Sequence, residues 1–492
     1  MIPTMNYFSA TISRKADAIL SNPLYGGCIG ALLLDIAYWF HSLWFLGFFS
    51  FVVPLLIIQR REPFNVIRAA KAGFVFGLFY FFNVFPILSF QPSFLSATVT
   101  DTLSNIILSI KFSAILMVSG LLLGLGGLLA FALAFFISRR IGLFALLSLP
   151  VFWTIAEMGF THVAFGFQWW TIGQILVDSS ILRQWAVFGG LSFLSWLLAT
   201  FNILLFFIIY LRINQKQTLS NMVMALTAVF CLSIISYGYM LRQSAEAPFP
   251  LPIHLAIFQP GVTSFPRALP VTKTNEFSHY TDTISSLRPN ILIIPGELVH
   301  KPIALDNINS SLIKSLIGSL AEDNNMITVI TLPLKENGEI HAALVALQEK
   351  KIIGIYRKKI LMPVSDYTPA GLFGSIFPSQ LYGNISAFTG TNGIFLPQLH
   401  AGAFICNEVF TQKSAAAGKK SGASFLILSG NDAAFTNELV SLENLRLTQV
   451  RAVENRVWIV RAGKTGISAI INPQGDIVRT LSRAQLGLLT FP

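Results

Sequence analysis

Residues 402–410 read GAFICNEVF, in which an apolar run leads into Cys406 and a carboxylate, Glu408, follows two positions later. Such a run is typical of a short buried strand. Two interpretations of Cys406 are open at this point: a buried core thiol, or a nucleophile presented where a strand ends. The other two cysteines, Cys28 and Cys231, lie in apolar stretches, so we expect them to be inert packing residues. The cysteine spacing predicts neither a disulfide framework nor a zinc site.

The apolar residues of the chain are concentrated before about residue 242. The 492 residues are 53% hydrophobic with a mean hydropathy of +0.64, which is unusual for a soluble protein of this length. We therefore predict two domains, a transmembrane domain over 1–245 with about seven helices, and an α/β domain over 246–492. Seven stretches approach the roughly 20 apolar residues that a membrane-spanning helix needs. They are about 25–41, 44–59, 72–90, 113–137, 141–159, 186–211 and 222–241. The first 20 residues lack the apolar core of a cleavable signal peptide.

The basic residues predict the orientation of these spans. With a cytoplasmic N-terminus, the cytoplasmic connections contain Arg60, Arg61, Arg68, Lys71, Arg139, Arg140, Arg212 and Lys216. The loops on the opposite side contain few basic residues, namely Lys111 at a span edge and Arg183. The positive-inside rule then places residues 246–492 outside, on the periplasmic face of a bacterial inner membrane. Topology and anionic lipid account for the net charge of +11. Because no dense basic stripe with interleaved aromatics appears in the second half, nucleic-acid binding is disfavoured.

Two residues of the fifth span and its outer loop are candidates for a role in function. Glu157 lies near the outer end of the span in VFWTIAEMGF, and two interpretations are open: a functional carboxylate, or an interfacial one that reaches water. Trp169 lies in the aromatic loop THVAFGFQWWTIGQ. This loop is interpreted either as an interfacial belt, which the sequence favours, or as the wall of a lipid-binding mouth.

From about residue 250 the pattern changes to short apolar runs separated by turns and helical stretches. Predicted strands are 253–261, 290–296, 326–333, 339–348, 401–406, 423–430 and 457–463, and predicted helices are about 273–287, 305–321 and 437–454. This alternation indicates a buried sheet in an α/β domain.

Three chemically suggestive side chains follow apolar runs of this half. Glu297 follows ILIIPG, Lys358 follows IIGIYR, and Cys406 ends AGAFIC. Active groups commonly project from the carboxyl ends of strands in α/β sheets. An acid, an amine and a thiol at one edge would form a base, a cationic stabiliser and a nucleophile. Each residue taken alone is more often structural.

Longer motifs resemble a known family. IIPGE, IYRKKILMPVSDYTP, FICNEVF and LSGNDAAF resemble the nitrilase (carbon–nitrogen hydrolase) superfamily, whose members use a Glu-Lys-Cys triad in an αββα sandwich. WTIAEMGFTHVAFGFQWWTIGQ and RAVENRVWIVRAGKTGISAIINPQGDIV resemble the bacterial apolipoprotein N-acyltransferases. The resemblance implies a multi-span α-helical membrane domain followed by an outward nitrilase-like αββα domain.

Carried over to this sequence, the resemblance implies a role for each matching residue. Glu297 would be the general base, Lys358 the oxyanion stabiliser and Cys406 the acyl-accepting nucleophile. Tyr356 belongs to the Tyr-x-Lys pattern that selects Lys358 over Lys359. Asp366 and Glu408 would line or support the site, or serve as hydrogen-bonded carboxylates behind it.

The sequence also departs from the family pattern. The usual Trp-Pro-Glu around the base is Pro295-Gly296-Glu297, and an aromatic residue usually stands where Asn407 follows the nucleophile. Asp366 replaces a usual Glu, and Lys464 replaces a usual Asn. These departures leave the triad intact and place the acyl acceptor in question.

The implied activity is lipoprotein N-acylation by a ping-pong mechanism. Cys406 would take an acyl chain from a membrane phospholipid, such as phosphatidylethanolamine, and pass it to the N-terminal amine of a diacylglyceryl-cysteine lipoprotein. No metal or organic cofactor is needed. Three alternatives remain open: a membrane-tethered amidase or nitrilase-type hydrolase, an acyltransferase paralogue with another acceptor, and a non-enzymatic scaffold or membrane assembly factor.

Overall fold

The structure is a computed structural model of the chain. It describes residues 21–84, 102–163, 166–168, 171–246, 248–249, 253–261, 275–297, 302–308, 325–362, 366–367, 385–432 and 438–491, without the side chains of 61, 83–84, 102–116, 275–279 and 297. The chain divides into two compact units, residues 1–86 with 113–241 and residues 87–112 with 242–492. The domain division at 245/246 remains a prediction.

The N-terminal half is helical. Its α-helices are α1 (Pro23–Trp39), α2 (Val52–Arg61), α3 (Val66–Val84), α4 (Thr102–Ile141), α5 (Leu149–Val163), α6 (Gly190–Ile213) and α7 (Gln217–Gln243). Short 3₁₀ segments cover His41–Phe49, Leu143–Ser148, Ile172–Asp178 and Leu182–Phe188.

Five stretches of the described residues are long and apolar enough to cross a membrane. They are His41–Arg60, Met117–Ile141, Leu143–Val163, Gly190–Ile213 and Gln217–Gln243. These match the second and the last four predicted spans. The first predicted span is the shorter apolar helix Pro23–Trp39. The third, predicted over 72–90, coincides with α3 as far as Val84, and residues 85–90 lie outside the described part.

The second predicted span is a 3₁₀ segment followed by α2, and a buried asparagine of α6 bonds the backbone at the junction. Asn202 Oδ1 accepts from the N–H of Phe51 at 2.8 Å, and its Nδ2 donates to the Gly47 carbonyl at 2.9 Å. The ends of helical segments leave backbone groups without intrahelical partners, which buried side chains must satisfy. Asn202 therefore stabilises an irregular helix that sequence periodicity does not reveal.

Aromatic rings and small residues build the core of the first unit. Phe51 makes edge-to-face contacts with Phe76, Phe131 and Trp153, at centroid distances of 5.1, 5.6 and 5.1 Å. Helices α3 and α4 approach at Gly73 and Gly127, where an added Cβ would lie 2.3 Å and 2.2 Å from the carbonyl oxygen of the opposite glycine. Small residues permit such close helix contacts in membrane domains.

Two sheets form the second unit. The first contains β1 (Leu255–Gln259), β2 (Ile291–Glu297), β3 (Ile303–Ala304), β4 (Ile327–Glu336), β5 (Glu339–Gln348), β6 (Lys351–Arg357) and β12 (Gly487–Phe491). Its order is β12-β1-β2-β4-β5-β6, with β3 also beside β4. The second contains β7 (Ala401–Ile405), β8 (Phe425–Gly430), β9 (Trp458–Gly463), β10 (Ser468–Ile471) and β11 (Ile477–Leu481), in the order β11-β10-β9-β8-β7.

The sheets face each other, and helices cover their outer faces. Thr331 Oγ1 of β4 and Ser429 Oγ of β8 lie 3.0 Å apart across the interface. Helix α8 (Asn275–Leu287) packs Ile284 into the core of the seven-stranded sheet. Helices α9 (Gln412–Lys420) and α10 (Glu438–Asn455) pack against the five-stranded sheet. The second unit is therefore a nitrilase-like αββα sandwich.

The seven predicted strands are confirmed, with ends that differ by at most three residues. Parallel pairing of β1-β2-β4 and β7-β8-β9 places the carboxyl ends of these strands at common edges. The predicted helix 305–321 begins as a 3₁₀ turn at Leu305–Asn307, and residues 309–324 lie outside the described part. Helix α9 and the strands β3, β6 and β10–β12 were not among the predicted elements.

Candidate active site

Cys406 is the first residue after β7. The strand is fully buried, and Cys406 begins a 3₁₀ helix that runs to Phe410. Its φ of 51° lies in the left-handed region, which costs an L-amino acid roughly 1–2 kcal/mol. Its side chain is partly exposed. The abrupt change from strand to helix therefore presents the thiol at the carboxyl edge of the sheet, where strained backbone often accompanies function.

The environment of Cys406 keeps its thiol protonated. Burial raises its pKa, and the charges of Asp366 and Asp432 act in the same direction. The charge of Lys358 and a hydrogen bond from the Asn431 N–H oppose this rise without cancelling it. Because a thiol with a raised pKa is not ionised at neutral pH, nucleophilic attack by Cys406 requires a base.

Lys358 follows β6, and both its backbone and its side chain are held by polar contacts. Its N–H donates to the Ala342 carbonyl at 2.9 Å, and its carbonyl accepts from the Phe388 N–H at 3.0 Å. Its Nζ lies 2.6 Å from Asp366 Oδ2. The neighbouring Lys359, the rival lysine of the motif, is exposed.

The ammonium of Lys358 is charged in spite of its burial. Burial by itself lowers the pKa of Lys358, but the neighbouring carboxylates, Asp366 first and then Glu408, oppose this effect, and the pKa is raised overall. A buried cation beside the thiol is suited to stabilising an oxyanion that forms there.

Asp366 is held by its own turn. Its Oδ2 also accepts from the Met362 N–H at 2.6 Å, and its N–H donates to the Met362 carbonyl at 2.8 Å. The Ile385 N–H donates to the Asp366 carbonyl at 2.8 Å. These bonds fix the carboxylate that pairs with Lys358.

Glu408 joins the segment after β6 to the segment after β7. Its carboxylate accepts from the Tyr356 hydroxyl at 3.0 Å, from the Lys359 and Ile360 N–H groups at 3.0 and 3.2 Å, and from the Ile405 N–H at 2.7 Å. Burial raises the pKa of Glu408, although the backbone donors oppose this. The carboxylate is fully buried, so it supports the geometry of Lys358 and Cys406 from behind.

Asn407 makes a second connection between the same segments. Its Nδ2 donates to the Ile360 carbonyl at 3.1 Å, and its buried Oδ1 has no hydrogen-bond partner among the described residues. A small amide thus stands beside the thiol at the position where the family pattern has an aromatic ring.

Glu297 ends β2, and its backbone pairs with Thr331 after an irregularity that begins at Ile294. The preceding Gly296 has a φ of 80°, which favours glycine. The side chain of Glu297 lies outside the described part, as does Trp169. The role of Glu297 as the base therefore remains a proposal.

Glu157 belongs to the first unit and is buried there. Its Oε1 accepts from Trp153 Nε1 and from the Ile172 N–H, both at 2.9 Å. The carboxylate thus joins α5 to the 3₁₀ segment that follows the aromatic loop. It does not extend to the surface of this unit.

Sequence reasoning missed a buried network after β8. Asp432 Oδ2 pairs with Arg461 Nη2 at 3.1 Å, and Asp432 Oδ1 accepts from Asn444 Nδ2 at 3.0 Å. The network fixes the turn that contains Asn431, whose N–H bonds to the thiol. A carboxylate just beyond a buried strand, the same pattern that singled out Glu297, could have identified Asp432. The described residues contain no group of three or more His, Cys, Asp or Glu side chains that could hold a metal ion.

Known protein families match both halves of the chain. Residues 289–491 match the carbon–nitrogen hydrolase family, and residues 30–204 match the apolipoprotein N-acyltransferase N-terminal domain. The apolipoprotein N-acyltransferase of Aquifex aeolicus is 24% identical over 367 residues, which cover 72% of this chain and 77% of the relative. The apolipoprotein N-acyltransferase of Chromobacterium violaceum is 26% identical over 356 residues, which cover 71% of this chain and 66% of the relative.

Two solved structures are each similar to about half of the chain. A carbon–nitrogen hydrolase from Helicobacter pylori G27 matches with a TM-score of 0.35 and 13% identity, covering 48% of this chain and 87% of the hydrolase. The C. elegans NitFhit protein matches with a TM-score of 0.38 and 16% identity, covering 49% of this chain and 60% of the NitFhit chain. The two family matches, which together span both the helical half and the αββα sandwich, show that the chain belongs to the apolipoprotein N-acyltransferase family.

Proposed function

We propose that the protein transfers an acyl chain from a membrane phospholipid, through a thioester on Cys406, to the N-terminal amine of a diacylglyceryl-cysteine lipoprotein. One observation carries this proposal: the thiol of Cys406 is presented at a strand end, in a strained backbone conformation, beside the buried Lys358–Asp366 pair. The named relatives supply the substrate class, and the apolar helices of the first half suit substrates that reside in a membrane.

The first half-reaction forms the thioester. Glu297 accepts the Cys406 proton as the sulfur attacks the ester carbonyl carbon of the phospholipid, and Lys358 stabilises the oxyanion. The ester C–O bond then breaks, the proton passes from Glu297 to the departing oxygen, and lysophospholipid leaves. A raised thiol pKa makes the base necessary, and the charged Lys358 makes the oxyanion favourable.

The second half-reaction releases the thiol. The lipoprotein amine attacks the thioester carbonyl and loses a proton to Glu297. The C–S bond breaks, an amide forms, and the proton returns to the sulfur of Cys406. We place this reaction at the outer leaflet of the bacterial inner membrane, with phosphatidylethanolamine as the donor and the catalytic domain on the periplasmic side, as the distribution of basic residues predicts.

The test follows both products in vesicles of phosphatidylethanolamine. The purified protein is mixed with a synthetic diacylglyceryl-cysteine peptide, and the lipids and peptide are analysed by mass spectrometry. We expect lysophospholipid and a peptide heavier by one acyl group, both absent with Cys406→Ala. Free fatty acid with an unmodified peptide would instead show a hydrolase. An unchanged donor and peptide, with a folded protein, would contradict acyl transfer altogether.

A further inference from the structure

Lys464 is a buried lysine at the carboxyl edge of the five-stranded sheet. It follows β9, and its N–H donates to the Gly430 carbonyl at the end of β8, at 2.9 Å. Its carbonyl accepts from the Gly261 N–H at 3.2 Å. Only 3% of the residue is exposed. Its backbone thus lies beside the turn that holds Asn431 and Asp432.

The side chain of Lys464 reaches across to the end of β2. A Cβ added to Gly296 would lie 2.4 Å from Lys464 Cδ and 3.0 Å from its Cβ and Cγ. The left-handed φ of 80° at Gly296 independently favours glycine. The methylene chain of Lys464 therefore occupies the space that a larger side chain at position 296 would fill. Position 296 directly precedes Glu297.

No described carboxylate near the candidate site serves as the counter-charge of Lys464. Lys358 pairs with Asp366, and Arg461 pairs with Asp432. Glu408 is bonded by a hydroxyl and three backbone N–H groups. Among the described carboxylates, none forms an ion pair with Lys464. A buried ammonium without an opposite charge is unfavourable. The carboxylate next along the chain from its contact at Gly296 is that of Glu297.

We propose that Lys464 is a positioning residue for the base, and that its ammonium is the counter-charge of the Glu297 carboxylate. This inference rests on the proposed function only in taking Glu297 as the base. An opposite charge favours the ionised form of a carboxylate and lowers the pH at which it takes up a proton. Lys464 thus keeps Glu297 ready to accept the Cys406 proton at neutral and mildly acidic pH.

The test is the pH dependence of Cys406 reactivity in the full-length protein. Alkylation of Cys406 by iodoacetamide is followed by peptide mass spectrometry, in parallel with thioester formation from phosphatidylethanolamine. Lys464→Met and Lys464→Asn remove the charge with two different shapes, Lys464→Arg keeps it, and Glu297→Gln removes the base. Lys358, Asp366, Asp432 and Arg461 are present in every variant, so a shift reports on the altered residue.

We expect the acid limb of both profiles to move to higher pH by about one unit or more in Lys464→Met and Lys464→Asn. Lys464→Arg should keep the wild-type midpoint. Glu297→Gln should lose this limb and keep only the one at higher pH that reflects ionisation of the Cys406 thiol itself. A midpoint that does not move in the two uncharged variants, whatever their rates, would overturn the inference. The inference would also be overturned by a Glu297→Gln midpoint equal to that of the wild type, or by a Lys464→Arg midpoint that shifts like that of Lys464→Met. If no thioester forms in the wild type but the alkylation limb shifts as expected, the role of Lys464 stands and acyl transfer fails.

Discussion

The Nζ atom of Lys358 lies 2.6 Å from Asp366 Oδ2, and the two side chains are only 4% and 11% exposed. Buried pairs of this kind add little stability over an apolar pair, whereas removal of one partner is costly. The value of the pair is therefore functional: Asp366 opposes the lowering of the Lys358 pKa by burial and so favours a cation beside Cys406.

Lys358→Met should lower the rate of thioester formation by about 10²–10³, the usual effect of losing one oxyanion donor. It should also destabilise the fold by about 3–5 kcal/mol, because Asp366 is left buried and unpaired. The double variant Lys358→Met/Asp366→Asn should recover most of the melting temperature and none of the rate. Lys359→Met, at the exposed neighbour, is the matched control. A Lys358→Met rate within tenfold of the wild type would exclude the oxyanion role.

Cys406→Gly should be more stable than Cys406→Ala, although both are inactive. Relief of the left-handed strain is worth roughly 1–2 kcal/mol, and the added flexibility of glycine costs about 0.5–1 kcal/mol, so a net gain of up to about 1.5 kcal/mol is expected. Melting temperatures in detergent provide the measurement. Ala403→Gly, inside β7, is the control and should only destabilise. If Cys406→Gly and Ala403→Gly lower the melting temperature equally, the turn at Cys406 is not strained.

Glu336 should make stability depend on pH below neutrality. A hydrogen-bonded ion pair with Arg357 outweighs partial burial and lowers the pKa of Glu336. A carboxylate with a lowered folded-state pKa contributes stability above its unfolded value of about 4.3, and loses it as the pH falls through the folded value. Glu336→Gln should therefore lower the melting temperature more at pH 7 than at pH 3. The control is Glu349→Gln at an exposed turn. An equal loss at both pH values would contradict this prediction.

Glu157 should stabilise the fold through its hydrogen bonds. Glu157→Gln keeps an oxygen for Trp153 Nε1 and the Ile172 N–H, whereas Glu157→Leu leaves both donors buried and unsatisfied. Each unsatisfied donor costs about 1–3 kcal/mol. We therefore expect Glu157→Gln to be close to the wild type in melting temperature and Glu157→Leu to be much less stable. A folded but inactive Glu157→Gln would point instead to a direct role of the charge.

The sequence predicted those parts of the fold in which local pattern and burial agree. Long apolar runs such as 339–348 became strands with the predicted bounds, because burial on a sheet demands such runs. Strands of four or five residues such as Ile477–Leu481, with mixed polarity and exposure, carry too little pattern to be distinguished from loops. Their existence depends on pairing with neighbours distant in sequence.

In the candidate site, too, some features could be predicted from the sequence and others could not. Lys358 and Cys406 could be found because each directly follows an apolar strand. The left-handed backbone of Cys406, the pairing of Arg461 with Asp432 and the contact of Lys464 with Gly296 could not, since they arise only when strands from separate parts of the chain meet at one edge. Long-range geometry of this kind has no local sequence pattern.

The most direct test of the account is the intact mass of the purified protein after incubation with phosphatidylethanolamine and no acceptor. We predict a gain of one acyl mass that hydroxylamine removes and that Cys406→Ala does not show. A protein that is folded and binds the lipid, yet gains no hydroxylamine-labile mass, would contradict the claim that Cys406 carries the acyl group.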